Sequence, residues 1–188
     1  MIKDHNWLVK YEGEFRDKNV LEIGSGLGED TRCLLNITKA ISSLDVDEKR
    51  IQKLRVDLPS VDFHCIDIRS ELPFPSNSID TVLASLSLHY FTIEETKKIL
   101  VELKRVLKNN SKMIIRLNSI NDTNYGAEGY PEIEHHLFIV NGQLKRFFNK
   151  EDIHLIFRDG WELEGIIEKT IDRYELPKLV WEFVAKSV

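Results

Sequence analysis

The sequence predicts an α/β fold in which helices cover both faces of a mostly parallel sheet. Short apolar runs with strand character alternate with stretches of helical periodicity between residues 20 and 117, and the connections are short. This alternation is typical of a doubly wound sheet. The first run, 20–23, leads directly into Gly24, Gly26 and Gly28 and then into a helical pattern. A strand, a tight turn and a helix start are therefore predicted, as at one edge of a nucleotide pocket.

The other elements follow in order along the chain. The predicted strands are 40–45, 61–67, 80–85, 113–117, 161–168 and 179–185, and the predicted helices are 29–36, 48–58, 93–107 and 150–158. Asp47 and Thr92 stand where side-chain oxygens can cap two of these helices. The last two strands are joined by a connection without a helical pattern, so they are predicted to pair antiparallel.

Residues 118–149 interrupt the alternation after the fifth strand. A polar loop reaches Pro131, and the runs 136–140 and 143–148 then flank the dipeptide Asn141-Gly142, which is typical of a two-residue hairpin turn. We expect this insertion, with Tyr125 and Tyr130 in its loop, to form either a lid over a substrate or a contact between two subunits.

The N-terminal segment 1–19 is predicted to be a short helix. Trp7, Leu8, Tyr11 and Phe15 are spaced three to four residues apart, so they form one apolar face that can lie over the sheet or the pocket. Together with the strands and helices above, this predicts a single domain over 1–188.

The composition limits the class of protein. The 188 residues are 42% hydrophobic, which suits one globular domain, and a net charge of −5 counts against a nucleic-acid partner held by phosphate contacts. Two cysteines, Cys33 and Cys65, are expected to be reduced thiols. No apolar run has the roughly 20 residues of a membrane span, and the polar N-terminus does not resemble a signal peptide. We therefore expect a cytoplasmic protein.

The residues around the glycines favour one kind of nucleotide. A dinucleotide site needs a third glycine where this chain has Glu29, and no Gly-Lys-Ser/Thr follows as in a P-loop. Carboxylates at Glu22 and Glu29 would repel a pyrophosphate. The sequence therefore favours a ligand with a positive group and no phosphates.

Two more acidic residues end the next two strands. Asp45 ends strand two, where a carboxylate can accept hydrogen bonds from both ribose hydroxyls. Asp67 ends strand three, where it can accept from the exocyclic amine of adenine, with Ile68 beside the ring. Acidic residues at three consecutive strand ends, with the glycine turn, favour a nucleoside site over three helix caps.

These residues resemble the motifs of class I S-adenosylmethionine-dependent methyltransferases. The match covers Glu22-x-Gly24-x-Gly26-x-Gly28, Asp45, Asp67-Ile68, the segment 72–82 and the segment 105–111, in the family's order. In the last segment Asn-Asn-Ser replaces the family's Pro-Gly-Gly. The resemblance implies a Rossmann-like seven-stranded sheet of order 3-2-1-4-5-7-6 with strand seven antiparallel. Residues 146–152 are also similar, more weakly, to small bacterial methyltransferases related to tellurite resistance.

The resemblance also implies a cofactor and a site. The cofactor is S-adenosylmethionine, and the implied binding residues are Glu22, Gly24, Ser25, Gly26, Asp45, Val46, Asp67, Ile68, Ser85 and Leu86. The acceptor implied is a small molecule, because the Asn/Asp-Pro-Pro-Tyr/Phe motif of base-modifying enzymes does not follow strand four. The protein is expected to be a monomer or a homodimer.

Two hypotheses for the role of His89 stay open. An imidazole can act as a base on the acceptor near neutral pH, or His89 can simply make local hydrogen bonds at the start of the next helix. We expect no metal at Glu132, Glu134, His135 and His136, because adjacent residues on a strand point to opposite faces.

Two other functions remain possible from the sequence. One is a non-catalytic protein that binds S-adenosylmethionine or S-adenosylhomocysteine. The other is an NAD-type oxidoreductase, which Glu29 and the lack of a recognisable hydride-transfer site disfavour.

Overall fold

A seven-stranded sheet forms the centre of the protein, whose computed structural model describes residues 7–188. The strands of the chain are β1 Val20–Ile23, β2 Ile41–Asp45, β3 Asp62–Cys65, β4 Ile79–Ser85, β5 Leu107–Asn118, β6 Glu132–Glu134, β7 Leu137–Val140, β8 Gln143–Arg146, β9 Trp161–Ile171 and β10 Lys178–Ser187. The helices are α1 Glu12–Phe15, α2 Glu29–Leu34, α3 Glu48–Asp57, α4 Ile93–Val106 and α5 Lys150–Ile156, after a 3-10 helix at Trp7–Tyr11.

The order of the main sheet is β3-β2-β1-β4-β5-β10-β9. Strands β1 to β5 run parallel, and β10 is antiparallel to both of its neighbours, β5 and β9. With β9 and β10 as strands six and seven, this confirms the predicted order 3-2-1-4-5-7-6. Because parallel strands share their direction, the carboxyl ends of β1 to β4 meet at one edge of the sheet.

Both faces of the sheet are buried. On β5, Met113, Ile115 and Leu117 belong to a core under α4 and α5, whereas Ile114 faces the opposite core under the N-terminal segment, α2 and α3. Burial on both sides explains why the centres of β4 and β5 are short apolar runs, 82–84 and 113–115, in which buried and exposed residues do not alternate.

Two helix starts form as predicted. Asp47 accepts hydrogen bonds from the backbone N–H groups of Lys49 and Arg50 at 3.0 and 3.1 Å. Thr92 and Glu95 form a reciprocal capping box at the start of α4. Both caps satisfy amides that have no partner inside the helix.

The fifth strand differs from its prediction because it begins at Leu107 rather than at 113. Ile79 pairs with Leu107 and Thr81 with Lys112, so the ladder carries an irregularity over 108–111, between the predicted helix and the predicted strand. Asn110 has a φ of +59° there, a conformation that asparagine tolerates better than most residues.

The insertion forms a small sheet of its own, β6-β7-β8. The predicted Asn141-Gly142 hairpin is present, with φ values of +52° and +76° that suit a type I′ turn. Its third strand, β6, was not predicted. The buried Arg146 on β8 holds this sheet to the main domain, because its backbone N–H donates to the carbonyl of His89 at 2.6 Å and its guanidinium donates to the carbonyl of Phe91.

The N-terminal segment packs on the sheet face next to α2. Trp7, Leu8 and Phe15 are buried, and the indole N–H of Trp7 donates to Asp30 at 2.9 Å. Residues 1–6 of the predicted helical segment lie outside the described residues. Within residues 7–188, no helix has both the length and the apolar character needed to cross a membrane.

Candidate functional site

A cavity of about 570 Å³ opens at the carboxyl ends of β1 to β4. Seven of the predicted cofactor-binding residues line it: Gly24, Gly26, Asp45, Val46, Asp67, Ile68 and Leu86. The other three, Glu22, Ser25 and Ser85, do not line it. Tyr90, Phe91 and, from the hairpin, Gln143 and Leu144 complete the wall.

The glycine turn lies against the ends of β2 and β4. The backbone N–H groups of Gly24 and Ser25 both donate to the carbonyl of Leu44, at 2.8 and 2.9 Å. Gly24 has a φ of +79°, and a Cβ there would stand 2.8 Å from the Cβ of Ser87. Only glycine therefore allows the turn and β4 to approach this closely.

Asp45 connects the turn to the end of β2. Its carboxylate accepts from the N–H of Gly26 at 2.8 Å and from the N–H of Asp47 at 2.9 Å, and the residue is 8% exposed. A carboxylate offers about four lone-pair sites. Asp45 can therefore accept further hydrogen bonds from a ligand without giving up these two.

Asp67 is paired with Arg69, a cavity residue that the sequence reasoning missed. The guanidinium of Arg69 donates to both oxygens of Asp67 at 2.5 to 3.0 Å and also to Glu95 at 3.2 Å. The hydrogen bonds from Arg69 hold the pKa of Asp67 below its usual range, against the effect of burial. The sequence did contain a signal for this pair, because Arg69 follows the acid at the end of strand three by two positions.

Three serine hydroxyls near the turn are buried without a hydrogen-bond partner among residues 7–188. They belong to Ser25, Ser85 and Ser87, and Ser87 also lines the cavity. A buried polar group left unpaired costs about 1–3 kcal/mol. A ligand with a polar group beside Ser87, the one of the three that lines the cavity, would offset that cost for its hydroxyl.

Leu86 also carries strain at the cavity wall. Its φ is +54°, a left-handed conformation that costs a non-glycine residue about 1–3 kcal/mol and that is found most often at functional sites. The N–H of Leu86 donates to the carbonyl of Arg116 at 2.9 Å, which holds the backbone in this conformation at the end of β4.

Glu22 lies beneath the turn rather than in the cavity, which corrects the expectation that it faces the ligand. Its Oε2 accepts from the hydroxyls of Thr31 and Ser43, both at 2.6 Å. Burial raises the pKa of Glu22 to about 7, although these two hydrogen bonds oppose the change. Glu22 therefore joins α2 to β2 as a partly protonated structural group.

Glu29 also does not face the cavity. Its carboxylate pairs with Arg173 at 2.5 Å, and the same guanidinium donates to Asp30 at 2.8 Å. The electrostatic argument from Glu22 and Glu29 was therefore wrong, since a buried group and a paired group carry little charge toward a ligand. The acidic groups that line the cavity are Asp45, Asp47 and Asp67.

Comparison with known proteins identifies the family. A family model described as a methyltransferase domain matches residues 21–115, half of the chain. The chain belongs to this family. The predicted resemblance is thereby confirmed, and the glycine turn and the acids at the ends of β2 and β3 lie inside the matched segment.

Individual relatives support the same assignment. A methyltransferase-like protein of Schizosaccharomyces pombe is 34% identical over 105 residues, 55% of this chain and 40% of that protein. Phosphoethanolamine N-methyltransferase 1 of Triticum aestivum is 31% identical over 107 residues, 54% of this chain and 22% of that enzyme. The chain thus spans less than half the length of these relatives.

Solved structures share the fold over nearly the whole chain. A SAM-dependent methyltransferase from Methanosarcina mazei has a TM-score of 0.75 at 17% identity, covering 92% of this chain and 93% of that one. The 1,6-didemethyltoxoflavin-N1-methyltransferase of Burkholderia thailandensis, with bound 1,6-didemethyltoxoflavin and S-adenosylhomocysteine, has a TM-score of 0.74 at 18% identity, covering 98% and 76%. At these identities the likeness shows the fold alone.

In this methyltransferase domain, His89 lies behind the cavity wall. The residue is 4% exposed, and its ring is 4.0 Å from the ring of Tyr90, which does line the cavity. Burial lowers the pKa of His89 well below its usual value, and the charges of Lys178 and Lys145 act in the same direction. A ring with so low a pKa is neutral at pH 7 but is a weak base.

The two tyrosines expected in one lid occupy different places. Tyr125 packs 5.4 Å from the ring of Tyr174, and the buried ammonium of Lys178 lies 5.1 Å from the ring centre of Tyr125. The hydroxyl of Tyr130 instead donates to Asn141 in the hairpin turn at 2.9 Å. Tyr125 therefore joins the loop 119–131 to the loop 172–177, and Tyr130 joins it to the hairpin.

Replacing Glu22 with glutamine is expected to stabilise the protein above pH 7. A carboxyl group whose pKa rises from 4.5 to about 7 on folding contributes stability below pH 4.5 that is lost as the pH rises through about 7. At 1.36 kcal/mol per pH unit, this amounts to about 3 kcal/mol at pH 8. The amide oxygen of glutamine still accepts the two hydroxyl bonds, without a charge.

Denaturant unfolding of both proteins at pH 5 and pH 8 measures this effect. The difference in the free energy of unfolding between Glu22→Gln and the parent should increase with pH. Glu94→Gln, a substitution at an exposed position on α4, should leave the pH dependence of stability above pH 5 unaltered. The same difference in the free energy of unfolding at pH 5 and at pH 8 would contradict the raised pKa of Glu22.

Proposed function

We propose that this protein transfers a methyl group from S-adenosylmethionine to a small-molecule acceptor. The observation that carries the proposal is the cavity at the carboxyl ends of β1 to β3, where the glycine turn, Asp45 and Asp67 converge. Its volume of about 570 Å³ lies within the range of small-molecule sites. The family match supports the reaction type.

The residues at the cavity fit this cofactor. Asp45 has acceptor sites left for the ribose hydroxyls. Asp67 and Ile68 line the same cavity, where we propose that Asp67 exchanges a bond from Arg69 for one from the adenine amine. Gly26 meets no heavy atom within 4 Å of a built Cβ, so the turn leaves open space for a ligand. The unpaired hydroxyl of Ser87 provides a further polar contact.

The protein's part in the reaction is orientation and exclusion of water. When bound, S-adenosylmethionine supplies a methyl group activated by its sulfonium. An in-line displacement of this kind gains most from holding the reacting atoms in place in a site that is closed to water. Tyr90, Phe91 and Leu144 provide an apolar wall that serves both purposes.

Features beside the cavity support a small acceptor. The rings of Tyr125 and Tyr174 pack with their centres 5.4 Å apart, and the ammonium of Lys178 lies 5.1 and 5.7 Å from those two centres. The named activities of two similar proteins, on phosphoethanolamine and on 1,6-didemethyltoxoflavin, are also small-molecule methylations. We propose that the segment 118–149 acts as the lid of this acceptor site within a single domain. Among the described residues Cys33 and Cys65 form no disulfide, which suits the cytoplasmic location that we propose.

Calorimetric titration with S-adenosylhomocysteine tests the cofactor assignment. We expect the parent protein to bind it and Asp45→Ala to bind at least about tenfold more weakly, because each hydrogen bond to a charged group contributes roughly 1.5–3 kcal/mol. Asp62→Ala, which removes the same charge from an exposed position, should bind as the parent does.

Three outcomes would contradict the proposal or change it. Equal affinity for NAD, or unchanged affinity in Asp45→Ala, would contradict the cofactor assignment. Methylation is tested separately, by incubating the protein with S-adenosylmethionine and a cell extract and following the metabolites by mass spectrometry. If the protein binds S-adenosylhomocysteine but methylates no metabolite, a non-catalytic binding protein is favoured instead.

A further inference from the structure

Two imidazoles and a carboxylate converge on the side of the domain where the hairpin sheet meets α5. His135 and His136 lie in the turn between β6 and β7, and Asp152 lies in the first turn of α5. Nε2 of His135 is 3.2 Å from Oδ1 of Asp152, and Nδ1 of His136 is 2.7 Å from Oδ2. One potential ligand atom from each residue lies within 4.8 Å of the other two.

The expectation that adjacent histidines face opposite ways was wrong here. It assumed an extended strand, but His136 has a φ of +57° in a turn. The two rings consequently stack on the same side, with their centres 3.8 Å apart and their planes inclined by 29°. A left-handed backbone at a residue other than glycine is strained, and such strain is concentrated at functional sites.

We propose that His135, His136 and Asp152 bind a divalent transition-metal ion of the zinc class. At metal–ligand distances of about 2.0–2.2 Å, two ligands of a tetrahedral ion lie about 3.4 Å apart. The 3.2 Å between His135 and Asp152 is close to this value, and the side chain of His135 is 62% exposed, so it can turn toward an ion. The 2.7 Å between His136 and Asp152 is a hydrogen-bond distance, which would lengthen by about 0.7 Å when an ion takes the place of the shared proton. Two imidazoles favour zinc, nickel or cobalt over magnesium or calcium, which take oxygen ligands.

Neighbouring groups hold two of the three ligands in position. Asp152 accepts from the N–H of Asn149 at 3.0 Å, and the N–H of His136 donates to Glu132 at 2.7 Å. Such supporting hydrogen bonds orient metal ligands and commonly account for 10–100-fold in affinity. Three protein ligands with one of them exposed leave a fourth position for water or another small ligand.

The ion would fasten the hairpin sheet to the main domain. The sheet carries Gln143 and Leu144 to the cavity wall, whereas Asp152 belongs to α5, which packs in the main core through Ile153 and Ile156. The site is therefore separate from the cavity, and it exists whether or not the proposed methyl transfer is correct.

Calorimetry with zinc alone, on the chelator-treated full chain freed of any purification tag, tests the proposal. We expect saturable binding of one ion per chain. His135→Ala and Asp152→Asn should each weaken it at least about 100-fold, because removing a ligand costs more than removing its supporting hydrogen bond. Asp152→Asn retains a side-chain oxygen that can still accept from the backbone N–H of Asn149 in the capping box of α5. His154→Ala, an exposed histidine on the same helix, should bind as the parent does.

Cobalt substitution separates this site from the cysteines. We expect bound cobalt to show the visible absorption of a tetrahedral ion and no charge-transfer band from a thiolate. A thiolate band would assign the metal to Cys33 or Cys65 and overturn the proposal. Full zinc affinity in His135→Ala would overturn it too, as would no saturable binding by the parent. Because His135 is exposed, its replacement should leave the protein folded, so a loss of zinc affinity in His135→Ala reports the loss of a ligand.

Discussion

Replacing Gly26 with alanine is expected to lower affinity for S-adenosylhomocysteine at least about 100-fold while the protein stays folded. Gly26 lines the cavity, and a Cβ built there meets no heavy atom within 4 Å, so the added methyl group stands in space that a ligand would fill. Its φ of +54° adds about 1–2 kcal/mol of strain. That strain alone is too small to unfold a typical domain.

Gly165→Ala is the matched control for this variant. Gly165 on β9 has a φ of +63° and also meets nothing within 4 Å of a built Cβ, but it lies away from the cavity. Both variants should lose a similar amount of stability in thermal unfolding, and only Gly26→Ala should lose binding by calorimetry. Equal binding by the two variants would refute the placement of the ligand against the turn.

Replacing Glu182 with alanine is expected to cost about 3–5 kcal/mol of stability at neutral pH, because it removes the carboxylate from a fully buried guanidinium. Glu182 on β10 accepts from Nε of Arg116 at 2.8 Å and lies 2.7 Å from Nη2 in the same ion pair, and both side chains are inaccessible to solvent. Lys10 and the hydroxyl of Tyr11 also donate to Glu182. The variant should therefore release the N-terminal segment as well.

The pH dependence of this loss follows from the pKa of Glu182. Burial alone would raise that pKa, but Lys10 and Arg116 together lower it below its usual value. A carboxyl group with a lowered pKa in the folded state contributes stability at neutral pH that is lost as the pH falls through the folded pKa. The difference between the parent and Glu182→Ala should thus shrink in acid.

Urea unfolding at pH 7 and pH 4 measures both effects. Glu162→Ala is the control, since Glu162 on the adjacent β9 is 63% exposed in its pairing with Lys186 and such pairs contribute at most about 1 kcal/mol. A loss below 1 kcal/mol for Glu182→Ala at pH 7 would show that the buried pair between β5 and β10 contributes little to stability.

Most of the fold could be predicted because its signals are local. A strand buried on both faces is an apolar run, as at β4 and β5, and a helix start requires a cap within a few residues, as at Asp47 and Thr92. Among the strands of residues 7–188, only β6 was not predicted; it has three residues and pairs irregularly with β7. So short a segment carries too little periodicity to be recognised.

The candidate site was predictable where it depends on strand ends. Gly24, Gly26, Asp45 and Asp67 line one cavity because parallel strands bring their carboxyl ends to one edge. Arg69 and Ser87 line it as well, but neither carries a motif of its own. Their place depends on how the loops after β3 and β4 turn.

The strand order was implied by the family resemblance, whereas the residues alone determined the positions of the main strands, the glycine turn and the acids at the ends of β2 and β3. Those follow from residue type and spacing within short stretches. Only the tertiary structure decided that Glu22 is buried between Thr31 and Ser43, and that two adjacent histidines meet Asp152. The state of a polar group depends on its partners and on its exclusion from water, and packing brings those partners from distant parts of the chain.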